Sequence, residues 1–265
     1  GVFKGIKNLK YISTALLSNF VALPVIAFAL SSVFLDQSNA VFIGLITYLV
    51  APCTDWFLGF TKLANGDVEV NSALLPLNLL AQILLLPVYL HLFTANTIGI
   101  PFDAFVDVLI NWVLLPFAVA QLVRFIVSKV SADILVKSNT LAEILVLASI
   151  VLLVFSIFNS NVESLMSNTI VLPTVFAVIL VFFVIAFFLA RFVSRGLGMS
   201  KKEEISLTMT TAARNAPLML VISLIFFPEG TLIHLILVVG MLIEFPHLIT
   251  ITYLLKRQSK PVAAN

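Results

Sequence analysis

The chain has one cysteine, three histidines and few charges, with Asp, Glu, Lys and Arg making up 11% of its 265 residues. A lone thiol, Cys53, excludes an internal disulfide. The histidines, at positions 91, 234 and 247, have no metal-ligand spacing. Neither a glycine-rich phosphate loop nor a nucleophile elbow is present, which removes the nucleotide-binding and hydrolase classes those motifs mark. Cations gather only in the connections between apolar runs, so no nucleic-acid surface is offered. Soluble domains carry about 25% charged residues. With 61% hydrophobic residues and a mean hydropathy of +1.14, this chain could not hide its apolar surface in water.

What is present in quantity is hydrocarbon. The apolar residues fall into runs of roughly 20, the length that about 30 Å of bilayer core demands at 1.5 Å per helical residue. A membrane β-barrel would need strictly alternating segments of about 10 residues, whereas the run 170–189 is apolar on every side. The expected fold is therefore all-α and integral to the membrane, with spans at 11–35, 40–63, 70–94, 103–127, 139–159, 169–193, 203–227 and 231–255. Every second connection is basic. Lys4, Lys7 and Lys10 precede the first span, Lys62 follows the second, Arg124, Lys129 and Lys137 separate the fourth from the fifth, Arg191, Arg195, Lys201 and Lys202 separate the sixth from the seventh, and Lys256, Arg257 and Lys260 end the chain. The alternate connections, around Asp36, Asp103, Glu163 and Glu229, hold no Lys or Arg. The positive-inside rule places both chain ends in the cytoplasm, with the plasma membrane as the expected location.

One cation escapes this pattern. Arg214 lies within the seventh span, in Thr210-Thr211-Ala212-Ala213-Arg214-Asn215-Ala216-Pro217, where a guanidinium costs about 2.5–3.5 kcal/mol on insertion scales. Two roles are open to it: a structural lock onto a carboxylate, or a fixed charge lining a solute path. Pro217 removes a helical hydrogen bond and disturbs the residue before it, so the span is expected to break. The second span has a comparable interruption at Ala51-Pro52-Cys53-Thr54-Asp55. Paired discontinuous helices in the two halves of a chain are the mark of an inverted-repeat transporter with its site at mid-membrane. The span after each break also sets a polar residue beside a proline, Asn78 near Pro76 and Glu244 near Pro246. Residues 1–95 are then expected to form a first repeat lacking about two N-terminal helices, and residues 96–265 a complete second repeat of about five helices.

These motifs resemble those of the arsenical-resistance (arsenite efflux) family within the bile acid/sodium symporter superfamily. Ala51-Pro52-Cys53-Thr54-Asp55, Leu63-Ala64-Asn65-Gly66-Asp67, Leu77-Asn78 and Gln82 are similar to that family's fourth and fifth helices. Ala213-Arg214-Asn215-Ala216-Pro217-Leu218 and Gly240-Met241-Leu242-Ile243-Glu244-Phe245-Pro246 are similar to its ninth and tenth. Cys53 and Glu244 match the family's essential cysteine and glutamate by position. The resemblance implies about ten helices in two inverted repeats, panel and core domains, and efflux of arsenite or antimonite in exchange for protons. Sodium-coupled members of the superfamily carry a carboxylate about one turn before the ninth-helix break and a neutral amide within it. Here those places hold Thr210 and Arg214, and a fixed cation repels sodium, so proton coupling is expected.

The residues suit that chemistry. Trivalent arsenic is thiophilic, and Cys53 supplies one sulfur ligand to arsenic as substrate, short of the three-sulfur shell that would trap it. Glu244, set in the apolar run 235–251, is pushed towards its neutral form by desolvation and towards its ionised form by a nearby arginine, as a proton carrier requires. Asp55 is the competing partner for Arg214 and the competing proton carrier. Asn215, at the break, and Asn78 complete the expected substrate-binding set. No enzymatic activity and no cofactor are expected; the partners are a small solute and the lipid bilayer. The alternative is a carrier of small organic anions, in which Arg214 and half-helix N-termini supply positive potential.

Overall fold

The computed structural model describes residues 8–37, 39–54, 56–94, 109–130 and 171–258, together with position 106 and isolated positions between 145 and 166. The predicted span 139–159 and the predicted site residue Asp55 lie outside the continuously described segments. Regular structure among the described residues is helical, and one isolated antiparallel β-bridge joins Pro52 to Arg214. In chain order the helices are α1 (Leu9–Phe34), α2 (Ala40–Leu49), α3 (Trp56–Leu63), α4 (Val68–Phe93), α5 (Leu115–Val130), α6 (Val171–Gly196), α7 (Lys201–Ala212), α8 (Ala216–Phe226) and α9 (Thr231–Gln258). A π-helical turn, Leu109–Leu114, leads into α5.

α1, α4 and α6 have 26 residues each and α9 has 28. At 1.5 Å per residue each is about 40 Å long, enough to cross a bilayer. Their ends lie within three residues of the spans predicted at 11–35, 70–94, 169–193 and 231–255. The spans predicted at 40–63 and 203–227 are each two short helices, α2 with α3 and α7 with α8. Leu80, Leu84 and Val88 on α4 and Phe176, Leu180, Val184 and Phe188 on α6 form exposed apolar stripes at helical spacing, the surface expected towards lipid. Phenylalanine is divided: Phe176 and Phe188 face outward, whereas Phe42, Phe57, Phe182 and Phe183 are fully buried.

Four of the basic connections, at Lys10, Lys62, Arg191–Lys202 and the end of α9, gather at one end of the bundle. Lys10 on α1 donates to the Leu197 carbonyl in the α6–α7 connection, and Asn8 donates to Glu203 of α7 at 2.5 Å. The Asp67 N–H, at the start of α4, reaches the Lys202 carbonyl at 3.3 Å. Arg191 donates to Gln258 at the end of α9 at 2.8 Å. Glu204 collects Arg191, Arg195 and Lys201 at 3.0, 3.3 and 3.2 Å. A capping box between Ser200 and Glu203 starts α7 there.

Between helices, backbone approach replaces hydrophobic drive, because lipid is as apolar as leucine. A Cβ at Gly44 would come within 3.1 Å of Ile236, and one at Gly240 within 2.6 Å of the Tyr48 ring, so α2 and α9 are in backbone-close contact through these two glycines. Inside α1, Pro24 cannot donate to the carbonyl of Phe20, and a π-helical turn, Ser18–Ala22, forms just before it. The Tyr89 hydroxyl on α4 donates to that carbonyl at 2.6 Å. Replacing Tyr89 by Phe is expected to leave it unpaired and cost about 1–3 kcal/mol, measurable as a lower thermal midpoint of the detergent-purified protein with unchanged helicity.

Candidate functional site

The two interrupted spans cross at their breaks and pair through backbone groups that the interruptions set free. α2 stops at Leu49 and α7 stops at Ala212, leaving C-terminal carbonyls without helical donors. The Cys53 N–H donates to the Ala213 carbonyl at 3.0 Å, and the Asn215 N–H donates to the Ala51 carbonyl at 2.9 Å. The carbonyl that Pro217 cannot serve is therefore served by the opposite break. Pro217 itself stands in the first turn of α8, where no donor is needed, and Asn215 caps that turn through the Leu218 N–H at 3.4 Å.

The guanidinium of Arg214 lies between the two stopped helices. It donates through one terminal nitrogen to the Leu49 carbonyl of α2 at 3.0 Å and through the other to the Thr211 carbonyl of α7 at 2.5 Å. One side chain thus serves the negative ends of two half-helices, and its planar fork suits the task. The Phe182 ring of α6 sits beneath it at 5.5 Å, a cation–π contact. Arg214 is 0% exposed.

Glu244, on α9, meets this crossing through the backbone. The Arg214 N–H donates to its Oε1 at 2.9 Å. Its Oε2 lies 3.2 Å from the Tyr48 hydroxyl, which also lies 2.9 Å from the Gly240 carbonyl oxygen. Glu244, Tyr48 and Cys53 are all within electrostatic reach of Arg214. The Cys53 side chain is buried in a cluster that also holds Phe57 of α3, Met209 and Ala212 of α7, and Leu248 of α9.

On the other side of the crossing lies a cluster of uncharged polar groups. Asn78 of α4 and Asn19 of α1 both donate to the Thr210 hydroxyl of α7, at 3.3 and 3.2 Å. Asn215 donates to Thr54 at 3.0 Å and to the Gln82 carbonyl oxygen at 3.3 Å. Asn19 Oδ1, Asn78 Oδ1 and Gln82 Nε2 have no hydrogen-bond partner among the described residues. An apolar groove of about 550 Å³ between α6 and α9, lined in part by Phe183, Ile243, Pro246 and His247, runs outside both groups.

Of the residues singled out in the sequence, Cys53, Arg214, Asn215, Asn78 and Glu244 converge on the crossing, and Asp55 lies outside the described residues. Sequence reasoning passed over Tyr48 and Asn19, and it named Gly240 only within a motif, without a role. Each left a signal: a hydroxyl one turn before the first break, a glycine one turn before Glu244, and an amide five residues before Pro24.

A family model described as the sodium bile acid symporter family matches residues 2–168, well over half of the chain. The chain belongs to the sodium bile acid symporter family. This symporter-family member is 25% identical over 252 residues to the arsenical-resistance protein Acr3 of Corynebacterium glutamicum, covering 90% of this chain and 68% of the relative. The superfamily and the arsenical-resistance branch read from the motifs are both borne out. As a member of this symporter family, the protein is a multi-pass, all-α membrane transporter.

Proposed function

We propose that the protein exports arsenite and antimonite across the plasma membrane in exchange for protons, with the solute handled at the crossing of the two interrupted helices. The observation that carries the reading is the convergence of a thiol and a carboxyl group on one backbone-paired crossing: Cys53 pairs with Ala213, and Glu244 accepts from Arg214 next to it. Arsenous acid is uncharged at neutral pH. Its ligation exchanges one As–O bond for one As–S bond; the Cys53 proton leaves with the departing hydroxide as water, and hydrolysis reverses the step. One sulfur holds the solute weakly enough to release it. Asn78 and Asn215 present amides to its hydroxyl groups, and Glu244 carries the exchanged proton. Asp55 shares the break with Cys53 and is the second carboxylate available for this duty.

Two supports are independent of the site. The relative's printed name is that of an arsenical-resistance protein. The packing is reciprocal: α4, which follows the first break, bonds to α7 before the second, and α9, which follows the second break, bonds to Tyr48 before the first. That reciprocity fits inverted repeats divided at 95/96. The basic connections gathered at one end fit chain ends on the cytoplasmic side. A guanidinium at the crossing disfavours sodium as the coupling ion. The organic-anion alternative loses ground because the charge of Arg214 is directed onto two carbonyls.

Everted membrane vesicles containing the full chain test the reading. With one proton exchanged per solute, arsenite accumulation is expected to change about tenfold per pH unit of the imposed gradient, to collapse with a protonophore, and to ignore sodium. Sodium-dependent accumulation would overturn proton coupling. Vesicles that transport a small organic anion and exclude arsenite would select the alternative.

A further inference from the structure

Tyr48 is fully buried on α2, two residues before the C-cap Val50 and four before Pro52 at the break. Its ring is fixed in place. The Gly240 backbone lies so close that a Cβ there would meet three ring atoms within 2.8 Å, and Phe183 of α6 meets the ring edge-on with centroids 6.5 Å apart. The hydroxyl has one proton and faces two acceptors, the Gly240 carbonyl at 2.9 Å and Glu244 Oε2 at 3.2 Å. One proton cannot serve both.

Resting on the reading of Glu244 as the proton carrier, we propose that Tyr48 is a positioning residue whose hydroxyl turns between Gly240 and Glu244 according to whether Glu244 holds its proton. When Glu244 is protonated, its own O–H donates to the Tyr48 oxygen, and the Tyr48 proton goes to the Gly240 carbonyl. That state binds α2 to the backbone of α9. When Glu244 releases its proton to water, Tyr48 keeps its own and turns it to the carboxylate. The Gly240 carbonyl then loses this second donor, beyond the one its own helix supplies, and the α2–α9 contact loosens at the level of the crossing. Proton binding on α9 is thereby transmitted to the half-helix that leads into Cys53, without a proton leaving Tyr48.

Among the described residues, Arg214 at the second break donates to Glu244 through its N–H, Cys53 at the first break lies within electrostatic reach of Arg214 and Tyr48, and His247, one turn along α9, is stacked on Phe183 of α6 at 4.2 Å; Asp55 is outside the described residues. All of these are common to wild type and to a Tyr48 variant, so a difference between the two isolates the hydroxyl.

The test is an infrared titration of the purified full chain in lipid, following the carbonyl stretch of protonated Glu244, which is the band lost in Glu244→Gln. A donor to an ionised carboxylate is worth more than a neutral hydrogen bond, by a factor of roughly ten in the proton equilibrium. Tyr48→Phe is therefore expected to raise the titration midpoint by about one unit. Site-specific 3,5-difluorotyrosine at position 48 keeps the ring and strengthens the donor, so it is expected to lower the midpoint, and it serves where the Phe variant fails to fold. A titrating band whose midpoint is unmoved by these replacements overturns the role of Tyr48 and leaves the proton-carrier reading standing. A wild-type Glu244 with no titrating band overturns both.

Discussion

Replacing Arg214 by Met is expected to be the most destabilising single substitution at the crossing. The change strands the Leu49 and Thr211 carbonyls inside the protein. Each unpaired carbonyl costs about 1–3 kcal/mol. Loss of a cation from two helix C-termini adds about 0.3–1 kcal/mol per end, and loss of the Phe182 contact adds about 0.5–2 kcal/mol. Against this, removing a guanidinium from the membrane interior relieves about 2.5–3.5 kcal/mol. Taken at mid-range, the balance favours the arginine by about 3–4 kcal/mol, a large part of a typical stability of about 5–15 kcal/mol. Arg214→Lys keeps the charge but not the fork, so an intermediate loss is expected. Denaturation of the detergent-purified variants, followed by helicity, measures both. A Met variant as stable as wild type but inactive would mean that the guanidinium acts on the solute path rather than on the half-helices.

This expectation also shows where the sequence was legible and where it stopped. Four long spans could be located because about 20 consecutive apolar residues have few other uses, and the two breaks could be located because proline, cysteine, arginine and asparagine fall together in runs otherwise rich in apolar residues. The partner of Arg214 was not legible in the same way. A cation in a membrane helix suggests an acid, and two acids, Asp55 and Glu244, were offered. The described partners of the guanidinium are instead main-chain carbonyls, which every residue carries and which no sequence pattern distinguishes. Glu244 is tied to the same residue through the Arg214 N–H, a donor left over because α7 has already ended at Ala212. Tyr48 and Asn19 were passed over because a single hydroxyl or amide in an apolar run has no period. Their roles arise only when α9 and α7 are laid beside them.

Replacing Cys53 by Ser is expected to abolish arsenite efflux while leaving the fold in place. The two side chains differ by one atom, and the structural contribution of position 53 is largely main-chain, the N–H donating to the Ala213 carbonyl at 3.0 Å, which serine retains. Any loss of stability should come from burying the serine hydroxyl in the cluster of Phe57, Met209 and Leu248, about 1–3 kcal/mol if it stays unpaired and less if it bonds a nearby carbonyl, which leaves the protein folded. Transport should change greatly, because a hydroxyl is a hard donor that exchanges one As–O bond for another and gains nothing over water. A loss of at least about tenfold in arsenite accumulation, or about 1.4 kcal/mol, is the minimum expected of a direct ligand. Growth of an arsenite-sensitive host expressing the full chain measures it, with membrane abundance of the variant as the control. Protection that persists unchanged in the serine variant would remove the thiol from the mechanism. The cluster of Asn78, Thr210 and Asn215 would then be the group left to recognise the solute, through its hydroxyls alone.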